Sequence, residues 1–176
     1  MEVNNIHPEA MAFLEGITPA TNKKKILLIT GKVGRGKTFL MRQMCQWADK
    51  EAKPCLWPRW AYVSRAGAEL ESLIYLFTAE TFMDEVGQVA RKQIKLLAEA
   101  RLLFIDDMGS ERNPPPTFES GLSSLIEQRV DAGGYTVIST NLGEAAIQAR
   151  YGDRNLSRLI GFSQILELSG PDRRLT

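Results

Sequence analysis

A run of apolar residues followed by a glycine-rich loop restricts what this chain can fold into more than any other segment. Ile26 to Ile29 are continuously apolar, which predicts a strand covered on both faces. The residues that follow, Gly31 to Thr38, fit the pattern G-x-x-x-x-G-K-S/T in full. A glycine-rich turn that matches by chance is the alternative, and the strand before the loop and the helix after it disfavour that alternative. The segment therefore predicts an α/β protein that binds a nucleotide.

The chemistry of such a loop assigns roles to its residues. Glycines let the backbone N–H groups turn toward a phosphate, and a helix that begins near Lys37 adds the positive end of its dipole. Lys37 is expected to reach the β- and γ-phosphates, and the Thr38 hydroxyl to hold Mg²⁺. The candidate nucleotide-binding residues here are Gly31, Lys32, Val33, Gly34, Arg35, Gly36, Lys37, Thr38 and Phe39.

Length and charge limit the remaining possibilities. The chain has 176 residues and a formal net charge of +1, so we expect one domain and no global field that attracts a polyanion. We place a short N-terminal leader at 1–22 and the domain at 23–176. No signal-peptide layout and no apolar run near the roughly 20 residues of a membrane span occur, which predicts a cytoplasmic protein with no membrane partner.

Strand and helix patterns alternate along the chain. This alternation predicts a three-layer α/β sandwich around a parallel five-stranded sheet. The predicted strands are 26–29, 60–63, 102–107, 135–139 and 164–168. The predicted helices are 9–15, 38–50, one after Ser64, 84–100, 118–130, 143–150 and 154–159, and 113–116 is a proline-rich loop.

Polar residues follow two of these strands. Leu102 to Ile105 lead into Asp106 and Asp107, and the next strand leads into Asn141. Because ligands of open α/β sheets lie beyond the carboxyl ends of the strands, these side chains are expected at the edge to which the glycine-rich loop also points. Asp106 would bind Mg²⁺ and Asp107 would orient or deprotonate the attacking water. A pair of helix N-caps is the alternative for the two aspartates.

Five segments together resemble the AAA+ ATPase core of the DnaC/IstB type, the family of replicative helicase loaders and transposition helper ATPases. They are 31–38, 102–111, 137–142, 155–159 and 170–174. The resemblance implies ATP and Mg²⁺ as cofactors, with Asn141 as the sensor of the γ-phosphate and Arg158 as an arginine finger that acts on a neighbour's ATP. Arg174, or else Arg173, looks like the family's late arginine near the nucleotide. Capping by Asn141, and a surface ion pair by Arg154 or Arg158, are the alternatives.

Two departures from the family pattern bear on activity. The second acid is Asp107, whereas generic AAA+ proteins have glutamate, so we expect slow catalysis. The chain also ends without room for a helical lid domain, and its leader is short for a helicase-binding domain. The sequence fits both a compact, phage-like version of this family and an ATPase core excised from a longer protein.

The resemblance implies an ATPase of DNA replication. Its partners would be a DnaB-like replicative helicase, single-stranded DNA and further copies of the chain, with ATP at the subunit interfaces. Candidate DNA contacts are Arg65, Arg91, Lys92 and Lys95, with Tyr62 as a stacking surface. The alternatives are an IstB-like transposition helper that binds double-stranded DNA, a small-molecule P-loop kinase and a scaffold that binds ATP without hydrolysing it.

Overall fold

The computed structural model describes residues 6–17, 24–51, 60–63, 97–98, 102–109 and 116–172, with backbone alone at 49–51, 60–63 and 116–121. The strands are β1 (Ile26–Thr30), β2 (Trp60–Val63), β3 (Leu102–Met108), β4 (Tyr135–Thr140) and β5 (Ser163–Glu167). The helices are α1 (Pro8–Glu15), α2 (Lys37–Glu51), α3 (Pro116–Asp131) and α4 (Glu144–Phe162). The predicted helix after Ser64, most of the one at 84–100, the basic residues at 65, 91, 92 and 95, and both late arginines lie outside these ranges.

Within the described residues, one parallel sheet runs in the order β2-β3-β4-β1-β5. Because β4 lies between β1 and β3, the end of β4 stands between the glycine-rich loop and the two aspartates. The predicted α/β sandwich with a parallel sheet is confirmed. No helix in these ranges combines the length and apolar character needed to cross a bilayer.

Alternate residues of β1 face two different layers of helices. Ile26 and Leu28 pack in a cluster with side chains of α3 and α4, whereas Leu27 and Ile29 pack with side chains of α1 and α2. The strand is therefore covered on both faces, which explains why its sequence is continuously apolar.

Helix α1, within the predicted leader, packs against the domain core. Ala10, Phe13 and Leu14 are buried, and the Phe13 ring meets the Tyr135 ring edge to face at 5.8 Å. The leader helix thus covers one face of the sheet, and the boundary at residue 22 stays a prediction.

Two helix boundaries show how local sequence determines the fold. Gly152 has φ 81° and ψ 163° and kinks α4, as the two predicted helices on either side of it require. The proline-rich loop was predicted one residue too long, because Pro116 is the first residue of α3. Proline is favoured there since the N–H that it lacks would have no partner within the helix.

Arg129 lies buried at the end of the sheet opposite the glycine-rich loop. It is 1% exposed and donates hydrogen bonds to Thr136 Oγ1 at 2.8 Å and to the backbone carbonyls of Leu97 and Tyr135. Burial lowers the pKa of Arg129 to about 9, which leaves it charged at neutral pH. This side chain ties α3, β4 and the segment before β3 together.

Replacing Arg129 by methionine is expected to lower the free energy of unfolding by about 3 kcal/mol, because buried carbonyls lose their donor while the volume stays similar. Urea denaturation followed by circular dichroism measures this difference. The matched control is Arg154→Met, since Arg154 is 69% exposed and should change stability by less than about 0.5 kcal/mol. Equal stabilities of the two variants would contradict the structural role of Arg129.

Candidate active site

The glycine-rich loop connects β1 to α2 in a conformation that only glycines adopt without strain. Gly31, Gly34 and Gly36 have φ angles of 138°, 81° and 84°. The loop ends at Lys37, the first residue of α2, so the N-terminus of that helix faces the loop. Backbone N–H groups at a helix N-terminus favour an anion such as a phosphate.

Close neighbours add a further restriction at two of these positions, from backbone at Gly31 and from a side chain at Gly34. A Cβ atom on Gly31 would lie 2.5 Å from the carbonyl oxygen of Leu168, just after β5. A Cβ atom on Gly34 would lie 1.9 Å from Oδ1 of Asp172. The segment after β5 therefore lies against the loop, which brings residues 168–172 to the candidate site.

The Lys37 side chain folds back over the loop. Its Nζ donates hydrogen bonds to the carbonyl oxygens of Gly31 at 2.6 Å and Lys32 at 3.0 Å, and to Oδ1 of Asn141. Lys37 is only 7% exposed. The ammonium group is thus held beside the loop backbone, where phosphate oxygens would meet it.

A β-bulge sets the position of the two aspartates. Ile105 pairs with Ile138 and Met108 with Thr140, so Asp106 and Asp107 together stand opposite Ser139. A bulge of this kind bends a strand and changes the direction of its side chains. Asp107 has a φ of 57°, which is uncommon outside glycine and which aspartate and asparagine adopt more readily than other residues.

Ser139 joins both aspartates from the neighbouring strand. Its hydroxyl donates to Oδ1 of Asp106 at 2.6 Å and accepts the backbone N–H of Asp107 at 2.7 Å. Asp106 is 1% exposed, and its Oδ1 also accepts the Thr38 hydroxyl at 3.2 Å. The serine hydroxyl therefore stabilises the bulge and orients the buried carboxylate toward α2.

Asn141 connects the lysine to the second aspartate. Its Oδ1 accepts from Lys37 Nζ, and its Nδ2 donates to Oδ1 of Asp107 at 2.9 Å. The amide oxygen of Asn141 must face the Lys37 cation and the amide nitrogen must face the Asp107 carboxylate, so the orientation of the amide is determined. A continuous chain of hydrogen bonds thus runs from the loop through the end of β4 to the end of β3.

The donor set at this edge suits Mg²⁺. The Thr38 hydroxyl oxygen and a carboxylate oxygen of Asp106 lie 3.2 Å apart. Mg²⁺ in proteins is typically held by one or two carboxylates together with waters and substrate phosphates. These two residues would hold the ion beside the loop.

The structure brings together the loop, both aspartates and Asn141, but it places Arg158 elsewhere. Arg158 lies on α4 and contacts Glu127 and Ser123 on α3 of the same chain. Val33 in the loop is 55% exposed, and Phe39 in the first turn of α2 is 48% exposed.

Sequence reasoning missed Ser139 and Asp172. Ser139 is a buried polar residue near the end of β4, just before Thr140 and Asn141, and a hydroxyl at that position was a usable signal. Asp172 lies within a segment that the family resemblance covers, but only the fold brings it to Gly34.

Comparison with known proteins gives matches among solved structures alone. No protein-family model matches the chain, and no curated protein matches it. The crystal structure of the DnaC helicase loader superposes with a TM-score of 0.69 at 20% identity, over 96% of this chain and 96% of that one. The crystal structure of DnaI superposes with a TM-score of 0.63 at 18% identity, over 99% of this chain and 88% of that one.

Replication initiators also have this fold. AMPPCP-bound DnaA from Aquifex aeolicus superposes with a TM-score of 0.70 at 18% identity, over 94% of this chain and 48% of the longer DnaA chain. The similarity at these identities concerns the fold. The predicted resemblance to helicase-loader ATPases is thereby confirmed at that level: this chain has the fold of the DnaC helicase loader and of the corresponding part of DnaA.

Proposed function

We propose that this chain is a helicase loader-like AAA+ ATPase of DNA replication that binds ATP with Mg²⁺ and hydrolyses it. The observation that carries the proposal is the hydrogen-bonded chain from Lys37 through Asn141 to Asp107. It links the group that would contact the phosphates to the carboxylate that would act on water. A loop that served only as a turn would not need this connection.

Each residue of the site has a defined task in this proposal. Lys37 and the N–H groups of the loop bind the phosphates, and Thr38 and Asp106 hold Mg²⁺. The bound ion supplies charge neutralisation on the phosphate oxygens. Asp107 orients or deprotonates the water, and Asn141, as the sensor of the γ-phosphate, holds Asp107 and Lys37 at a fixed separation. Arg174, or else Arg173, contacts the nucleotide from the segment after β5.

The kinds of protein that have this fold support a choice of partners. One neighbour is a helicase loader, and a DnaA structure with a TM-score of 0.68 at 17% identity contains AMPPCP and single-stranded DNA. We propose that copies of this chain assemble on single-stranded DNA and on a DnaB-like helicase. ATP lies at each subunit interface, and Arg158 acts on the neighbour's nucleotide.

The ATPase rate per subunit, measured against protein concentration with and without single-stranded DNA, tests this function. Because a trans-acting arginine requires subunit contact, we expect the rate per subunit to rise with concentration and to change on addition of DNA. A rate independent of both, but raised by a nucleoside or another small acceptor, would indicate a kinase instead. Binding of ATP without turnover at any concentration would indicate a scaffold.

A further inference from the structure

Two arginines on one face of α4 share a single carboxylate on α3. The Nη2 atom of Arg158 forms an ion pair with Oε1 of Glu127, and the Nη2 atom of Arg154 lies 3.3 Å from the same oxygen. The exposures of the three side chains differ: 17% for Arg158, 69% for Arg154 and 42% for Glu127. Arg158 is therefore the inner partner of the carboxylate and Arg154 the outer one.

The second terminal nitrogen of Arg158 is engaged as well. Its Nη1 donates to the hydroxyl of Ser123, which is 5% exposed. Ser123 and Glu127 are four residues apart on α3, so their side chains lie on one face of that helix. A guanidinium binds phosphate through the same terminal N–H groups that are used here. In this state Arg158 cannot present those groups to a nucleotide on another subunit.

We propose that Glu127 and Ser123 keep Arg158 bound to α3 until a nucleotide-bound neighbour docks. We call this contact the Arg158 latch. The inference rests on the proposed trans role of Arg158 and adds its regulation. On docking, the phosphates replace Glu127 as the anionic partner of Arg158, and Arg158 turns away from α3.

Arg154 lowers the free-energy cost of moving Arg158 from Glu127 to the phosphates. When Arg158 leaves, Glu127 retains the outer arginine, so no carboxylate is left without a cation. The contact that is lost is a partly exposed ion pair, which favours the latched state by a factor of about five. The latch therefore sets a threshold for activation and does not prevent it.

The test compares ATPase rate per subunit against protein concentration for the wild-type chain and for Glu127→Gln. We expect the variant to reach its half-maximal rate at an about fivefold lower concentration, with the same maximal rate. The matched control is Asp131→Asn, which removes the same charge from an exposed position on α3 and should follow the wild-type curve.

Two further readouts do not depend on turnover. Sedimentation with AMPPCP should show self-association of Glu127→Gln at an about fivefold lower concentration than for the wild-type chain. The unfolding temperatures of Glu127→Gln, Arg158→Ala and the double variant should be non-additive, because either change breaks the same contact.

Several results would overturn the latch. A lower maximal rate in Glu127→Gln would make Glu127 a support for the catalytic position of Arg158. A Glu127→Gln effect on association that persists in the Arg158→Ala background, or additive unfolding temperatures, would show that the carboxylate does not act through Arg158. If Arg158→Ala keeps the wild-type dependence on concentration, the trans role itself fails and the latch with it. In that last case the unfolding temperatures would still be non-additive, because the contact between Glu127 and Arg158 would exist although Arg158 had no trans role.

Discussion

Replacing Asp107 by asparagine is expected to slow ATP hydrolysis by about 10²- to 10⁴-fold, the usual contribution of a positioned acid or base, with little change in ATP affinity. The variant removes the charge and leaves an oxygen that can still accept from Asn141 Nδ2. Asparagine also tolerates the φ of 57° at this position, so the bulge should persist. Single-turnover hydrolysis and binding of a fluorescent ATP analogue measure the two quantities separately.

The matched control for this variant is Asp153→Asn. Asp153 is an exposed carboxylate on α4 that accepts a hydrogen bond from Gln148 at 2.6 Å. We expect its hydrolysis rate to equal that of the wild-type chain. A rate of Asp107→Asn within twofold of the control would show that Asp107 does not act on the water.

Replacing Arg158 by alanine is expected to lower the ATPase rate at high protein concentration by about 10³-fold or more, because a trans-acting arginine stabilises charge on the transferred phosphoryl group. Binding of ATP to the isolated chain should stay unchanged, since Arg158 lies against α3 and not at the loop of its own subunit. Arg154→Ala is the matched control, because it removes an exposed arginine that shares the same carboxylate.

Mixing the two inactive variants tests whether Arg158 acts in trans. A subunit with Arg158→Ala keeps its aspartate, and a subunit with Asp107→Asn keeps its arginine. In a random mixture roughly a quarter of the interfaces combine an intact aspartate with an intact arginine, since each interface is formed by two different surfaces. We expect the mixture to regain a corresponding share of the wild-type rate. Mixed oligomers that stay inactive would show that the arginine does not complete a neighbour's site.

The arrangement of the candidate nucleotide site was predictable from sequence to the extent that chemistry restricts residue types locally. Glycines at 31, 34 and 36 followed by Lys37 and Thr38 indicate a phosphate loop without knowledge of any other segment. An apolar strand that ends in two aspartates indicates that both carboxylates stand at the carboxyl end of the sheet. Both segments lie where the pattern places them, and the parallel α/β fold agrees.

The contacts between strands were not predictable in the same way. Ser139 meets Asp106 and Asp107 only because the bulge in β3 puts two residues opposite one in β4. No feature of β4 alone specifies that register. The bulge also gives a reason for the departure from glutamate, because a left-handed backbone at residue 107 favours aspartate.

Contacts between helices depend on packing that no local pattern contains. Arg129 and Arg158 are both arginines on amphipathic helices, where arginine is usually exposed, and the sequence offered a surface ion pair for Arg158 only as an alternative. In the fold, Arg129 is buried among backbone carbonyls and Arg158 is held by Glu127. The angle and spacing of α3 against its neighbours decide both outcomes.

Titration of ATP into the wild-type chain and into Lys37→Met, each with Mg²⁺ and with a chelator, tests the central claim most directly. We expect the wild-type chain to bind ATP more tightly with Mg²⁺, because Thr38 and Asp106 then contribute ligands. Lys37→Met should bind about 10- to 100-fold more weakly, since it lacks the charged donor beside the loop. Equal affinities for the two chains would contradict the assignment of this loop as a nucleotide site, and an affinity that Mg²⁺ does not change would contradict the assignment of Thr38 and Asp106 as Mg²⁺ ligands.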